Sequence, residues 1–439
     1  MFGKILIANR GAIARRVVRA CHLLGIPSAV VYSQADAGAP YLEEAGQALL
    51  LPGYAAADTY LNVDALLRCL DASGADAVHP GYGFLAENAD FARVVAEHGA
   101  TFIGPSPGWL EAMGDKVHAR ALMAEHGFPL LPGSAALESL EQALSAAGEL
   151  GFPLMLKPVG GGGGIGMQVV RDEAELKKAF SRSGRLAAAA FGNGTLFLEA
   201  LVERPRHVEI QLLGDGRGKA VHVYERDCSL QQRHRKIIEE APAPGLDRAE
   251  VQALAERAER ALAGLAYDNV GTLETLLGAD GSFGFIEMNT RIQVEHGVTE
   301  AVTGLDLVAT QIALAAGAHL PKRPPLNGFA VEARVYAEDP QSGHSATGLL
   351  THLRTPELFG VRFETGYRQG QAITPYYDAL LAKVIGWGTS REQAIGRTLV
   401  GIRALEIRGV PTNVPVLERA LQDERFLAGD VHTGFLESV

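Results

Sequence analysis

Residues 4–32 constrain the fold more than any other stretch of the chain. "KILIA" (4–8) is a short apolar run of strand length, and "NRG" (9–11) turns out of it. Ile13, Val17, Ala20 and Leu24 then recur at the 3.6-residue period of a helix with one buried face. Gly25 caps that helix, and "SAVVY" (28–32) opens a second strand. Strand, helix, strand in this order predicts a parallel sheet covered by helices. The pattern continues with helix 61–75, strand and turn "AVHPGYG" (77–83), helix 87–99 and strand "TFIGP" (101–105). A first α/β unit therefore runs to about residue 113.

The remainder is long enough for one or two more domains, since the chain has 439 residues. Helix 113–127 leads to the proline-rich "FPLLPGS" (128–134), a boundary signal. Residues 130–203 read as a small α/β unit: a helix, the strand "PLMLKPV" (153–159), a glycine run, the strand "MQVV" (167–170), a helix and the strand "TLFLEAL" (195–201). From 204 onward strands dominate at first, and the C-terminal part reads as α+β. The expected division is 1–113, a connecting helix 114–129, 130–203 and 204–439.

Five consecutive glycines, Gly160 to Gly164, lie between Lys157 and Met167. Such a run weakens any regular element, so it fits either a linker or backbone that must approach a ligand closely, as peptide N–H groups do around phosphates. No Gly-Lys-Ser/Thr closes it, so it is not the Walker loop.

The segment "FGFIEMNTRIQVEH" (283–296) alternates strictly. Strand periodicity puts Ile286, Met288, Thr290, Ile292 and Val294 on one side and Glu287, Asn289, Arg291, Gln293 and Glu295 on the other. Extended, the polar five would spread over roughly 26 Å, so the later ones are expected to turn off into a loop. A solvent-facing strand would show the same alternation. Glu274, however, stands alone among apolar neighbours in "GTLETLL", where a buried carboxylate needs a partner. Two carboxylates and an amide oxygen make a hard set suited to Mg²⁺.

Cations cluster in "ERDCSLQQRHRK" (225–236), while the chain as a whole carries −11, with 40 Lys and Arg against 51 Asp and Glu. That balance argues against nucleic acid or an anionic membrane as partner and requires local positive charge for any anionic ligand. Cys21, Cys69 and Cys228 are scattered and odd in number, which indicates neither a disulfide framework nor a thiolate metal site. Cys228 reads as a small buried hydrophobe. The N-terminus lacks a signal-peptide pattern and no apolar run reaches membrane-span length, so a cytoplasmic location is expected. Glycine backbone, Lys116 and Lys157 as phosphate partners, the carboxylates with Asn289, and further cations for a second anion together describe a triphosphate site.

These residues resemble the biotin carboxylases of the ATP-grasp superfamily over essentially the whole chain. The resemblance is carried by "KILIANRG" (4–11), "HPGYGFLAEN" (79–88), "MGDK" (113–116), "GGGGIGM" (161–167), "PRHVEIQ" (205–211), "ERDCSLQQRH" (225–234), "EEAPAPG" (239–245), "FIEMNTRIQVEH" (285–296), "EARVYAEDP" (332–340) and "PYYDALLAKVI" (375–385). It implies an ATP-grasp fold of mixed α/β and α+β class, with a Rossmann-like N-terminal domain, a small mobile lid and a mixed C-terminal domain.

The resemblance also implies a reaction. ATP and bicarbonate give carboxyphosphate, which carboxylates the ureido nitrogen of biotin on a carrier protein, the first half-reaction of an acyl-CoA-type carboxylase. Lys116, Lys157, Gly161, Gly162, Gly163, Gly164, Glu199, Val202, His207, Gln231, His234 and Leu276 would hold ATP. Glu274, Glu287 and Asn289 would hold Mg²⁺, with Mn²⁺ as an alternative. Bicarbonate would lie against Lys236, Arg291, Gln293 and the Val294 backbone, with Glu295 taking its proton. Tyr82, Gly83 and Arg334 would meet biotin. Implied partners are a biotin carboxyl carrier, a carboxyltransferase component and, as quaternary state, a homodimer or a subunit of a larger complex.

The chain departs from the family pattern at Ile165, where Lys or Arg is usual, at Ala200 for Lys, at Gly297 for Pro, at Ala12 in "NRGAIA" and at Phe329 for a common His. Weaker nucleotide affinity is expected from Ile165, and a looser chain after Glu295 from Gly297. Two other readings stay open on sequence: a ligase with an acceptor other than biotin, and a non-catalytic scaffold.

Overall fold

The computed structural model describes residues 1–233 and 235–438. Its N-terminal sheet has five parallel strands in the order Gln47–Leu51, Ser28–Ser33, Ile5–Ile7, Ala77–His79, Thr101–Phe102. Helix Gly11–Leu24 ends at Gly25, whose φ of 67° is the left-handed value expected of a glycine cap. Helices Val63–Ser73 and Ala89–Glu97 start on the side chains of Asn62 and Asn88, which accept from the backbone N–H of Ala65 and Phe91. One sheet face packs these two helices through Leu66, Leu70 and Phe91. The other face, with Ile13 and Val17 of the first helix, shares a core with Leu307, Val308 and Ile312 far along the chain.

The largest sheet has eight antiparallel strands, in the order Phe283–Asn289, Asp268–Leu277, Arg206–Asp215, Ala220–Gln232, Arg235–Ala241, Phe329–Tyr336, Leu380–Gly388, Val361–Glu364. Its strands Arg206–Asp215 and Asp268–Leu277 are two-faced. Ile210, Leu212 and Leu273 point into a core with Leu254 and Ala258, while His207, Glu209 and Glu274 occupy the opposite face. A three-stranded sheet, Gln168–Val170, Leu154–Pro158, Leu196–Ala200, carries helices Leu140–Leu150 and Glu173–Phe191 on an apolar core of its own. Among the described residues no single helix is long and apolar enough to cross a membrane.

Several elements lie outside the sequence reading. Helix Arg248–Gly264 buries Val251, Leu254, Ala255, Ala258, Ala261 and Leu262. Its periodicity is sound, but alanines supply much of the buried face and give little hydropathic contrast. Helices His296–Thr303 and Leu307–Ala315 and the edge strand Gln47–Leu51 were also not anticipated. The alternation expected from residue 283 breaks at Ile286. Glu274 pairs with Glu287 and Thr275 with Phe285, which leaves Ile286 as the extra residue of a bulge. Ile286 consequently lines the cleft described below instead of the core. The strand ends at Asn289, and Arg291, Gln293 and Glu295 follow off the strand, as their spacing required.

Gly297 does not loosen the chain. It is buried in the first turn of helix His296–Thr303, and a Cβ there would lie 2.6 Å from Arg362 Nη2, 2.6 Å from Ile385 Cδ1 and 2.8 Å from Glu332 Oε2. A side chain there must displace the ends of three neighbours, two of them charged and ion-paired, and Gly297→Ala is expected to destabilise the chain by about 1–3 kcal/mol in chemical denaturation, the usual range for overpacking.

Candidate functional site

A cleft of about 1200 Å³ lies between the three-stranded unit and the polar face of the large sheet. Apart from His234, which is outside the described residues, every site residue expected from the sequence lines it. Neighbouring strands supply the side chains in turn: Glu287 and Asn289, then Glu274, His207, Gln231, Lys236 and Arg334. Tyr82 and Gly83 arrive from the carboxyl end of the parallel strand Ala77–His79, the usual ligand side of such a sheet. Asn9 fixes that turn by donating to the carbonyls of Pro80 at 2.6 Å and Tyr82 at 2.8 Å.

Lys236 is the electrostatic centre. Its ammonium lies 2.6 Å from Glu209 Oε2, 2.8 Å from Glu274 Oε1 and 2.7 Å from Glu295 Oε1. Arg334 Nη2 approaches the other oxygen of Glu295 at 3.0 Å and also Glu239 at 2.5 Å. Below them Arg226, fully buried, binds Glu209 Oε1 at 2.5 Å and the Gln211 side-chain oxygen at 2.7 Å. Burial alone would push the Glu295 carboxyl up, but Lys236, Arg334 and Arg226 outweigh it and hold the group well below the ordinary carboxylate range. Glu274 is lowered in the same way, against burial, by Lys236 and His207.

Arg291 is held by two side-chain oxygens, donating to Asn289 Oδ1 at 2.6 Å and Gln293 Oε1 at 2.8 Å, and lies 3.2 Å from Glu87. Glu274 and Glu287 face each other directly across paired strands, and Asn289 Nδ2 reaches Glu274 at 2.9 Å. Two neighbouring carboxylates and an amide oxygen, which now faces Arg291, are the hard oxygen donors that Mg²⁺ prefers, so these residue types fit that ion. Lys116 lies 2.8 Å from Glu287 and also reaches the Gly161 carbonyl, which brings the glycine loop to the metal-side carboxylate. Lys157 and Arg120 share the buried carboxylate of Glu199.

The glycine loop is anchored at its ends and open in the middle. A Cβ on Gly161 would fall 2.4 Å from the Phe191 ring, and one on Gly166 would fall 3.0 Å from Pro158. Gly162 and Gly163 have nothing within 4 Å, and Ile165 is 48% exposed. The loop thus presents bare backbone to the cleft.

Glu209 and Arg226 stand in segments the sequence singled out, without a role of their own, whereas Glu239, Glu332 and Lys383 were missed. The signal was present: each of these three is a charged residue in a largely apolar strand, as in "KIIEEA" and "LAKVIGW". Thr433, Gly434 and Glu437 near the C-terminus also line the cleft, with no motif to mark them. Cys228 is buried as expected, and burial pushes its thiol up.

Glu239 and Glu332 sit opposite each other in the antiparallel pairing, both fully buried. Burial pushes Glu239 up to about 8 despite Arg334, and Glu332 up to about 7 despite Lys383 and Arg334.

A small glycine-loop unit set over the polar face of a large antiparallel sheet is the arrangement of an ATP-grasp protein. Residues 115–323 match the family "Carbamoyl-phosphate synthase L chain, ATP binding domain". Residues 1–110 match "Biotin carboxylase, N-terminal domain", and 332–438 match "Biotin carboxylase C-terminal domain". The biotin carboxylase of Halalkalibacterium halodurans is 44% identical, covering 99% of this chain and 97% of that protein. The Campylobacter jejuni biotin carboxylase, solved as a β-γ-ATP complex, superposes with a TM-score of 0.98 at 39% identity over 100% of this chain and 99% of that one. The biotin carboxylase domain dimer of Hydrogenobacter thermophilus 2-oxoglutarate carboxylase, solved with MgADP, ADP and bicarbonate, gives 0.96 at 42% identity over 100% and 97%. The chain belongs to the biotin carboxylase family, and with it to the ATP-dependent ligases that carboxylate biotin.

The Glu239–Glu332 pair sets a pH dependence of stability. Between the ordinary value near 4.5 and the raised values, the native state holds protons that the unfolded chain has lost, so stability falls as pH rises through that window. Glu239→Gln removes one such group. Its melting temperature relative to wild type is expected to be higher at pH 8 than at pH 5.5, and a difference that does not change with pH would contradict the assignment.

Proposed function

We propose that the cleft uses ATP to activate bicarbonate and passes the carboxyl group to the ureido nitrogen of biotin carried on a separate protein or domain. The observation that carries this reading is Glu295, a buried carboxylate gripped on one oxygen by Lys236 and on the other by Arg334. Bicarbonate needs both a base and fixed positive charge to attack the γ-phosphorus with expulsion of ADP. Lys236, Arg291 and the Val294 N–H bind it, and Glu295 accepts its proton. A base so strongly stabilised as an anion is weak, but an incoming anion competes for Lys236 and Arg291 and raises the proton affinity of Glu295 when transfer is required.

Lys116, Lys157, His207, Gln231 and the backbone of the glycine loop hold the nucleotide, with Glu199 to Val202 and Leu276 around the base. Glu274, Glu287 and Asn289 would hold Mg²⁺, which neutralises developing phosphate charge when bound. Tyr82, Gly83 and Arg334 meet biotin, where the guanidinium stabilises negative charge on the ureido oxygen as the nitrogen becomes nucleophilic. The unit around residues 130–203 closes as a lid and excludes water from carboxyphosphate. A carrier and a carboxyltransferase are the partners this reaction requires, and a homodimer or a carboxylase subunit is the assembly we favour.

Two measurements test the reading. ATP hydrolysis should depend on bicarbonate and rise with biotin, and Glu295→Ala should lower that rate by about 10²- to 10⁴-fold, the usual contribution of a general base. Arg334→Ala should abolish stimulation by biotin, whereas hydrolysis indifferent to biotin would point to another acceptor. For the lid, Ile165→Arg should lower the Michaelis constant for ATP about threefold to tenfold, as for one partly exposed charged contact. An unchanged constant would mean that side chain 165 does not reach the nucleotide.

A further inference from the structure

Val294 is followed by two groups that grip the backbone from behind the cleft. His296 Nδ1 lies 2.7 Å from the carbonyl oxygen of Gln293. Lys383 Nζ donates to the carbonyl oxygen of Val294 at 2.6 Å. These carbonyls belong to the two successive peptide groups that flank Val294. In a trans peptide the C=O and N–H point in opposite directions, so fixing the Gln293 oxygen fixes the direction of the Val294 N–H. Val294 lines the cleft, and its N–H makes no hydrogen bond to any described residue.

We propose that His296, with Lys383 beside it, is a positioning residue for the bicarbonate site: by holding the Gln293 and Val294 carbonyls it aims the Val294 N–H at the anion. This inference rests on the functional reading above and adds residues that act on bicarbonate only through the backbone.

Three features make the hold rigid. Both side chains are buried, His296 at 1% and Lys383 at 0% exposure. A carbonyl can only accept, so the hydrogen bond requires the proton on Nδ1. Burial and the nearby Lys383 keep the imidazole from taking a second proton. Lys383 is itself fixed by Glu364 at 2.8 Å, and Glu332 lies 3.5 Å away. The cluster of His296, Glu300 and Glu364 has the composition of a metal site, yet Arg16, Arg362 and Lys383 already neutralise its carboxylates. It is a clamp, and the loop it clamps carries Gln293, Val294 and Glu295.

The test compares His296→Leu, which removes the donor, with His296→Asn, whose amide restores a donor near Nδ1. Steady-state ATP hydrolysis is measured at varied bicarbonate and at varied ATP, with thermal melts of each variant. His296→Leu is expected to raise the Michaelis constant for bicarbonate about tenfold, the equivalent of one hydrogen bond, and to leave that for ATP within about twofold. His296→Asn should recover most of the loss. The inference is overturned if His296→Leu leaves the bicarbonate constant unchanged, if both constants rise together, or if the asparagine variant, folded by its melt, restores nothing. A wild-type chain with no bicarbonate-dependent hydrolysis would instead remove the functional reading, and this inference with it.

Discussion

Lys236 draws together carboxylates from three parts of the chain, Glu209, Glu274 and Glu295, each within 2.8 Å of its ammonium. Three negative groups so close would repel one another and resist burial without it. Arg226 and Arg334 complete the neutralisation from either side, so the polar face of the sheet is a lattice of alternating charge. Removing one member of such a buried set strands the others, at a typical loss of about 3–5 kcal/mol. The residues to which the chemistry is assigned in the proposed function are thus also the residues that make the sheet face tolerable as an interior.

The same lattice bears on the proposed base. Lys236 and Arg334 hold Glu295 charged. In the proposed reaction an anion that shares those cations would raise its proton affinity. Arg334, forked between Glu295 and Glu239, joins a carboxylate that lines the cleft to one buried behind it, so a change of charge at either is felt at the other.

Much of this was legible in the sequence, and the reasons differ by region. The parallel unit could be read because strand and helix periods are clean around "KILIANRG" and "SAVVY". The cleft residues could be read because polar groups recur at every second position in "HVEIQ" and "FIEMN". Glu287 and Asn289 obeyed that rule, but Ile286 did not, since a bulge is a property of the pairing partner and leaves no mark on one strand's alternation. Lys383 escaped because a charge in an apolar strand announces only that it needs a partner, and the partner lies elsewhere in the chain. Gly297 differs from its sequence expectation for a related reason. A glycine's flexibility is local, whereas the crowding around it from Arg362 and Glu332 is tertiary.

The site draws one or two side chains from each of several neighbouring strands, and the residues that line it run from Asn9 to Glu437 in the chain. Pairings such as Glu239 with Glu332 close loops of many residues, whose entropy cost must be met before the contacts repay it. No fragment of the chain assembles base, cations and phosphate-side lysines together. An incompletely folded molecule would therefore lack the assembled set, and in the proposed reaction the reactive carboxyphosphate would form only where a finished interior surrounds it.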